Sequence, residues 1–345
     1  MSEGQPQRVV VFGAAGHLGQ QVVERLEDVP WSGFEIVGVV SEGSSSLEFE
    51  FRGEMLDAVT TAPALRAGDL VFVCTPAATA MDIVRSALQA QATCIDCSGV
   101  MAEHGEVPMP VLAKDFVGEP SEIAQAPLLT QPGATTLAWA PLIEALSQGP
   151  GVTRVVATVL RSASAHGRRG LVALSEESIA LFNQSEVPET GPAGQGVAFD
   201  VIPDGFDESR TAAELDRVFA SAIPVDVMSV QVPTFVGEGA SIAIELAEPL
   251  EESEIRKRLE GVDGLRVVTE GLGSRGLAAV ESGLREPTGP TLRDSAGAEE
   301  TLVGGLRSDA SMSAGIGWRL WLSYDPLRVA GDHAIRLALL RCPPA

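Results

Sequence analysis

Short apolar runs alternate with helix-like patterns in the first third of the chain. Between the runs, residues 18–26 and the residues numbered in the 80s repeat apolar positions at helical spacing. Strands that alternate with helices in this way form a parallel sheet that is covered on both faces. The pattern therefore predicts a doubly wound, Rossmann-type α/β domain over residues 1–133. The predicted strands are 8–12, 34–40, 70–74 and 93–96.

After a loose, proline-containing stretch, helical and strand-like segments mix and indicate an α+β domain over residues 134–325. Apolar residues at helical spacing over 330–340 predict a closing helix, and we expect the C-terminal segment 326–345 to pack back on the first domain. Residues 185–195 are predicted as a surface loop, and 271–305 is too rich in glycine for assignment. The other predicted helices are 135–146, 171–182 and 211–220, and the other predicted strands are 154–160, 225–232 and 240–246.

The charge balance of the chain excludes several classes of partner. Its 345 residues include 24 basic and 47 acidic side chains, which gives a formal net charge of −23. Such a charge opposes binding to nucleic acid or to an anionic membrane surface. No stretch approaches the roughly 18 consecutive apolar residues of a membrane helix. The composition predicts a globular, cytoplasmic protein that binds neither nucleic acid nor membrane.

Four cysteines are too few for a disulfide framework in a chain of this length, which favours a reducing compartment. Cys94 and Cys97 form a C-x-x-C motif across the strand-like run 92–96. Positions three apart on a strand point to opposite faces of the sheet. We therefore expect neither a metal site nor a redox pair from these two thiols.

A glycine-rich turn, residues 13–19, joins the first predicted strand to the first predicted helix, with glycines at every third position. Such spacing lets the chain turn tightly, brings the backbone close to a pyrophosphate and leaves N–H groups of the helix start for the anion. The turn predicts binding of a nicotinamide dinucleotide, and the alternative is a tight connection without a ligand. The predicted cofactor residues are Gly13, Ala15, Gly16, His17, Leu18, Gly19, Ser41, Glu42, Thr75 and Pro76.

The residue that follows the second strand bears on the choice between NAD and NADP. An acidic residue there accepts a hydrogen bond from the ribose of NAD, whereas an arginine accommodates the 2′-phosphate of NADP. Glu42 stands at this place, and a solvated turn carboxylate is an equal interpretation of it. The sequence leaves both nucleotides open.

Four segments together resemble the aspartate-semialdehyde dehydrogenase family, and most closely its Usg group of paralogues. The glycine turn is similar to the family's G-A-x-G-x-x-G, and I-D-C-S-G at 95–99, followed by V-P at 107–108, resembles I-D-x-S-x and V-P-L. T-V-L-R-S-A-S-A-H-G-R-R at 158–169 is similar to the Usg-type T-S-L-I-S-A-S-A-Q-G-K-K, and V-P-T-F-V-G at 232–237 resembles V-P-V-F-x-G. The order and spacing of these segments extend the resemblance over nearly the whole chain.

The resemblance implies a dinucleotide-binding domain followed by an α+β domain that carries catalytic groups and a homodimer interface. It also implies reductive dephosphorylation of an aspartyl phosphate through a thioester. That reaction requires a cysteine thiolate, a histidine that moves protons, and arginines that hold the substrate carboxylate and phosphate.

The catalytic positions that the resemblance places on this sequence are all replaced. The nucleophilic cysteine aligns with Gly133, which has no side chain. The general acid/base histidine aligns with Glu238, a carboxylate poorly matched to proton transfer unless burial raises its pKa. The remaining replacements are Leu160 or Arg161 for a substrate-orienting glutamine, and Ala102 and Gln231 for two arginines.

The sequence leaves three hypotheses. The leading one is a catalytically degenerate family member that keeps the dinucleotide fold and acts as a binding or scaffold dimer. The second is an active NAD(P)-dependent oxidoreductase on an aldehyde or acyl phosphate, with Cys97 as a relocated thiol and His166 as a proton carrier; a small buried residue and a solvated loop histidine are the simpler interpretations. The third is an anion site without catalysis at Arg161, Ser164 and Arg168, and the alternative is that these arginines are paired with nearby carboxylates of the chain.

Overall fold

The structure of the protein, a computed structural model, describes residues 5–44, 46–111, 123, 125–187, 191, 196–203, 205–268 and 289–344. Its internal contacts divide the chain into two compact units, Met1–Leu137 with Ala330–Ala345, and Ala138–Val329. The boundaries predicted from the sequence lie after residues 133 and 325. Within the described ranges, no helix combines the length and the apolar character needed to cross a membrane.

The secondary structure follows in chain order. The described strands are β1 (Arg8–Phe12), β2 (Glu35–Val39), β3 (Glu48–Phe51), β4 (Glu54–Asp57), β5 (Asp69–Val73), β6 (Thr93–Asp96), β7 (Leu128–Thr130), β8 (Val152–Arg161), β9 (Ile202–Pro203), β10 (Val225–Gln231), β11 (Glu238–Leu246), β12 (Leu265–Val267), β13 (Thr301–Ser308) and β14 (Gly317–Tyr324). The described helices are α1 (His17–Arg25), α2 (Ala77–Gln89), α3 (Ala134–Ser147), α4 (Gly167–Phe182), α5 (Glu208–Val218), α6 (Glu252–Glu260), α7 (Leu292–Ser295) and α8 (Pro326–Arg341), and a 3₁₀ turn spans Ala163–His166.

The first unit is built on a parallel sheet with the strand order β2-β1-β5-β6-β7. Successive side chains of a strand point to opposite faces, and β1 therefore contributes to two cores. Val9 and Val11 pack with residues of α1 and α8, whereas Val10 and Phe12 pack with residues of α2. Helices cover both faces of the sheet, which confirms the predicted doubly wound, Rossmann-type fold.

The second unit is built on a mixed sheet with the strand order β12-β13-β14-β11-β8-β10-β9. The long strand β8 pairs in parallel with β10 and antiparallel with β11. Val155, Ala157 and Val159 of β8 are buried in alternation, as a strand with one core-facing side requires. The predicted α+β character of this part of the chain is confirmed.

The structure adds elements that the apolar pattern does not predict. The hairpin of β3 and β4 has charged residues at many of its positions, and β7 has only three residues, which is too short for a periodic signal. β12, β13 and β14 lie in or near glycine-rich sequence, which hides their alternation. Residues 188–190 and 192–195 of the predicted loop 185–195 lie outside the described residues. Residues 271–288 of the glycine-rich range 271–305 lie outside them as well.

Candidate functional site

The glycine turn has the backbone that its sequence predicts. Gly13 adopts a φ of +85°, and a Cβ placed on it would lie 2.4 Å from the carbonyl oxygen of Cys74. Its N–H donates to the carbonyl of Val39 at 2.8 Å, so the turn is held between the ends of β2 and β5. A residue with a side chain would meet both a disfavoured conformation and a backbone clash at this position.

Helix α1 begins directly above this turn because Gly19 allows it. A Cβ on Gly19 would lie 2.0 Å from the carbonyl oxygen of Gly13. Gly16 is the N-cap residue and provides no side-chain cap, and the first turn of α1 contains no acidic residue. An uncapped helix start of this kind offers its N–H groups and positive dipole end to an anion. The turn therefore fits the pyrophosphate of a dinucleotide.

The other predicted cofactor residues lie at the carboxyl ends of the same strands. Ser41 and Glu42 are exposed beyond β2, and Thr75 and Pro76 follow β5, with Pro76 as the N-cap residue of α2. The hydroxyl of Thr75 is buried and makes no hydrogen bond to a described residue. In an open α/β sheet this edge is where ligands bind. The remaining three, Ala15, His17 and Leu18, are half-buried around the helix start.

Gly133 lies at the same edge of the sheet, between β7 and α3. The N–H of Gln131 donates to the carbonyl of Asp96 at 2.8 Å, which continues the pairing of β6 and β7 beyond Thr130. The carbonyl of Gly133 accepts from the N–H of Leu137 at 3.0 Å, as in the first turn of a helix. A thiol at a helix start acquires a lowered pKa and becomes a good nucleophile. Glycine provides no reactive atom at this position.

A row of four buried polar side chains crosses the second unit at one end of its sheet. The register pairs Glu238 with Tyr324 and Gln231 with Arg161, and the Leu160–Gly239 pair sets Arg161 beside Glu238. The four residues therefore occupy adjacent positions on β14, β11, β8 and β10. We call Tyr324, Glu238, Arg161 and Gln231 the polar row; each is at most 4% exposed.

Arg161 and Glu238 form an ion pair within the polar row. Arg161 Nη1 donates to Glu238 Oε1 at 3.4 Å, and Arg161 Nε donates to Ser229 Oγ at 3.2 Å. Burial raises the pKa of Glu238, and the nearby charge of Arg161 and a hydrogen bond from Tyr324 only partly offset that effect. Asp207, at the start of α5, adds to the rise because it is a like charge.

The ring of Phe206 contacts both His166 and the arginine of this ion pair. The imidazole of His166 and the ring of Phe206 lie 4.7 Å apart between centroids, and Arg161 Cζ lies 5.4 Å from the centroid of Phe206. Phe206 therefore links the predicted proton carrier to the predicted anion-binding arginine. Such cation–π and aromatic contacts order the side chains without supplying a nucleophile.

The predicted anion residues Arg161, Ser164 and Arg168 differ in burial and in their partners. Ser164 is buried, and its Oγ lies 2.8 Å from that of Ser162. Arg168 and Arg169 are exposed in the first turn of α4. Arg161 is paired with Glu238, which is the kind of carboxylate partner that the sequence left open for these arginines.

Cys97 occupies the carboxyl end of β6 in the first unit. Its pKa is raised well above the ordinary value, first by a hydrogen bond with Cys74 and then by burial. Cys94 packs in the core on the opposite face of the sheet, as expected from the strand geometry. Among the described residues, no group of three or more His, Cys, Asp or Glu side chains is arranged to hold a metal ion.

Sequence reasoning missed Tyr324 as a member of the polar row, and Ser229 and Phe206 as neighbours of Arg161. Tyr324 stands 86 residues from Glu238, and Ser229 and Phe206 stand 68 and 45 residues from Arg161. No local motif marks them. An assumed register between β8, β10, β11 and β14 would identify Tyr324 and Ser229 in advance, whereas Phe206 lies before α5 and outside these strands.

Two family models match the chain. The NAD binding domain of semialdehyde dehydrogenase matches residues 8–114, and the semialdehyde dehydrogenase dimerisation domain matches residues 140–329. The chain is also 22% identical over 333 residues to aspartate-semialdehyde dehydrogenase of Rickettsia conorii, with 93% of each chain covered.

Solved structures share the fold. Aspartate semialdehyde dehydrogenase II of Vibrio cholerae, complexed with ASA, aligns with a TM-score of 0.82 at 22% identity and covers 97% of this chain and 98% of that chain. The Candida albicans enzyme with NADP aligns with a TM-score of 0.65 at 15% identity, with 97% and 99% covered. Because the two family models together span most of its length, the chain belongs to the semialdehyde dehydrogenase family.

Proposed function

We propose that this protein is a catalytically degenerate relative of aspartate-semialdehyde dehydrogenase, of the Usg type, that binds a nicotinamide dinucleotide and acts as a cytoplasmic binding or scaffold dimer. The observation that carries the proposal is Gly133. It stands between β7 and the start of α3, where a helix terminus would activate a thiol. Glycine has no atom that attacks a carbonyl carbon, so no thioester forms at this position.

The ion pair of the polar row supports the loss of substrate chemistry. An arginine that holds a substrate carboxylate or phosphate needs that group as its partner. Glu238 supplies a carboxylate from within the chain, 3.4 Å from Arg161 Nη1. An anionic substrate would have to displace a buried carboxylate that is already paired, which carries a large desolvation penalty.

The glycine turn supports the cofactor part of the proposal. The N–H groups at the start of α1 are the donors for the pyrophosphate, and the exposed Glu42 is the acceptor for a ribose hydroxyl if the nucleotide is NAD. A bound nicotinamide supplies hydride-transfer chemistry. The protein's own contribution is to bind and orient the dinucleotide.

The relocated thiol is the weaker alternative. A nucleophilic cysteine must be a thiolate, and the pKa of Cys97 is raised rather than lowered. Neither a helix start nor a positive side chain accounts for any part of its shift. Cys97 is therefore a poor substitute for the missing nucleophile.

The proposal predicts nucleotide binding without turnover. We expect NAD or NADP to bind in a calorimetric titration. We also expect no formation of reduced nucleotide with aspartate semialdehyde and inorganic phosphate, because no thiol stands at Gly133. Turnover by the unmodified protein that disappears in Cys97→Ser would contradict the proposal and establish a relocated thiol.

Two glycine variants control the binding measurement. Gly19→Ala places a Cβ against the backbone of Gly13 and is expected to abolish nucleotide binding. Gly105→Ala, in the same unit, meets nothing within 4 Å and should bind as the unmodified protein does. Binding that survives Gly19→Ala would place the nucleotide somewhere other than the glycine turn.

The dimer part of the proposal has support in the second unit. Apolar side chains are exposed along α4 and the segment before β9, including Ile179 at 57%, Phe182 at 76% and Phe199 at 65%. The rings of Phe182 and Phe199 stack edge to face at 5.5 Å. An exposed apolar cluster in a region that matches a dimerisation domain favours a second copy of this chain as its occupant.

Replacing Phe182 by Glu is expected to shift the protein from dimer to monomer, because a carboxylate in an apolar contact is costly to bury. The molar mass measured by light scattering during size-exclusion chromatography tests this expectation. Met55→Glu, which changes an apolar residue of the first unit that is 60% exposed, should leave the dimer intact. A monomeric unmodified protein, or a Phe182→Glu protein that stays dimeric, would overturn the assignment of this surface.

A further inference from the structure

Cys97 of the C-x-x-C motif lies beside a third cysteine, Cys74, and not beside Cys94. Val73 of β5 pairs with Asp96 of β6, so the next residues of the two strands, Cys74 and Cys97, lie side by side. The N–H of Cys97 donates to the carbonyl of Val73 at 3.1 Å, which continues the pairing past the last ladder position. The two cysteines stand 23 positions apart in the sequence, and the register alone makes them neighbours.

The side chains of Cys74 and Cys97 also share a face of the sheet. Both pack against the core that contains Val9, Phe72 and Ile95, and the Cys97 thiol donates to the carbonyl of Ile95 at 3.9 Å. Cys94 packs in the other core with Val71. The motif's own two cysteines are therefore separated by the sheet, whereas Cys97 has Cys74 on its own side.

The geometry is compatible with a covalent link. Residues paired on neighbouring strands have Cα atoms about 4.8 Å apart, and disulfides accept Cα separations of about 4.4 to 6.8 Å. Both cysteines are free and half-buried at the carboxyl end of the sheet, unlike the fully enclosed Cys94. A small oxidant reaches half-buried sulfur atoms more readily than enclosed ones.

We propose that Cys74 and Cys97 are a redox-sensitive pair that forms an intramolecular disulfide when the protein meets hydrogen peroxide. The sulfur of Cys74 attacks the peroxide, which releases water and leaves a sulfenic acid. The sulfur of Cys97 then attacks that sulfenic acid, loses its proton and expels a second water. Two thiols and one peroxide give one disulfide and two waters, so two electrons pass from sulfur to oxygen.

The order of these steps follows from the hydrogen bond between the two thiols. Because the pKa of Cys97 is raised, Cys97 keeps its proton longer than an ordinary thiol. It is therefore assigned the second, resolving step, and Cys74 is assigned the attack on the peroxide.

The pair lies against the glycine turn. The carbonyl of Cys74 is the atom that a Cβ on Gly13 would meet at 2.4 Å, and the N–H of Cys74 donates to the carbonyl of Phe12 at 2.9 Å. A disulfide that moves the backbone of Cys74 also moves the carbonyl against which Gly13 of the glycine turn packs. The oxidised protein is therefore expected to bind the nucleotide at least tenfold more weakly, an effect that rests on the proposed nucleotide binding.

The test treats the full-length protein with hydrogen peroxide and measures intact mass, followed by peptide mapping without reduction. We expect a loss of two hydrogens, a cross-linked peptide that joins Cys74 to Cys97, and full reversal by dithiothreitol. Cys74→Ser and Cys97→Ser should each abolish the cross-link. Cys94→Ser is the matched control and should retain it.

Two results would overturn the proposal. One is oxygen addition at either cysteine without a cross-linked peptide, and the other is a cross-link that involves Cys94 or a second copy of the chain. The mass measurement does not depend on nucleotide binding. If the disulfide forms and the nucleotide never binds in either state, the redox pair stands and the proposed function fails.

Discussion

Replacing Glu238 by Ala is expected to lower the free energy of unfolding of the second unit by about 3 to 5 kcal/mol. The substitution removes the carboxylate beside Arg161, whose side chain is only 5% exposed. Without Glu238, the guanidinium keeps its hydrogen bond to the hydroxyl of Ser229 and loses the carboxylate of Glu238. Removing one member of a buried ion pair is among the most destabilising changes that a single substitution makes.

Three further variants separate the charge effect from the loss of packing. Glu238→Gln keeps the shape and is expected to cost less than Ala, because it resembles the protonated carboxyl that the raised pKa favours. The double change Arg161→Met with Glu238→Met removes both charges and should be less destabilising than Glu238→Ala alone. Glu248→Ala, an exposed residue beyond β11, is the matched control and should change little.

Hydrogen exchange of the amides in β8 and β11 measures these differences within the second unit alone. A double variant as unstable as Glu238→Ala would contradict this expectation, since lost packing and not the broken ion pair would then set the cost. Glu238 also has a defined pH signature. Because its pKa is raised in the folded state, the part of the stability that is linked to its proton is fully present below pH 4.5 and is lost as the pH rises through the folded value, where the carboxylate paired with Arg161 remains.

The first unit should lose stability in acid through His333. This residue lies in α8, is 5% exposed, and has a pKa lowered from 6.5 to about 3 by burial and then by the charge of Arg336, with a partial offset from the backbone of Pro110. A lowered folded-state pKa stabilises the protein above the unfolded value of 6.5, and that stabilisation is lost as the pH falls toward 3. One proton taken up on unfolding costs about 1.4 kcal/mol per pH unit in that window.

His333→Gln tests this expectation because glutamine does not titrate. Between pH 6.5 and pH 4, the unfolding free energy from hydrogen exchange in β1 and α8 should fall more steeply for the unmodified protein than for the variant. His104→Gln changes an exposed histidine and should follow the unmodified protein. Parallel pH profiles of the His333 variant and the unmodified protein would show that His333 is not the titrating group. A nuclear magnetic resonance titration of the His333 ring reports its pKa directly if the variant does not fold.

The local features of the first unit were predictable because they depend on backbone geometry over a few residues. Glycines at 13, 16 and 19 predict the turn, since only glycine tolerates the φ of Gly13 and the close approach at Gly19. Apolar runs of four to seven residues predict β1, β2, β5 and β6 because strands that are covered on both faces have no polar side. The short β7 and the charged hairpin of β3 and β4 carry no such signal.

The sequence by itself determined that the chain has a dinucleotide-type turn and a glycine, Gly133, at the place where its resemblance expects a nucleophile. Only the tertiary structure decided which partners the residues at the replaced positions have. Arg161 and Glu238 are 77 positions apart, and Cys74 and Cys97 are 23 apart, so no local period relates the members of either pair. Strand register places the members of each pair side by side. Burial raises the pKa of Glu238 and lowers that of His333, and the neighbouring Cys74 together with burial raises that of Cys97. Periodicity reports the conformation of neighbouring residues, whereas register and burial depend on the packing of the whole chain.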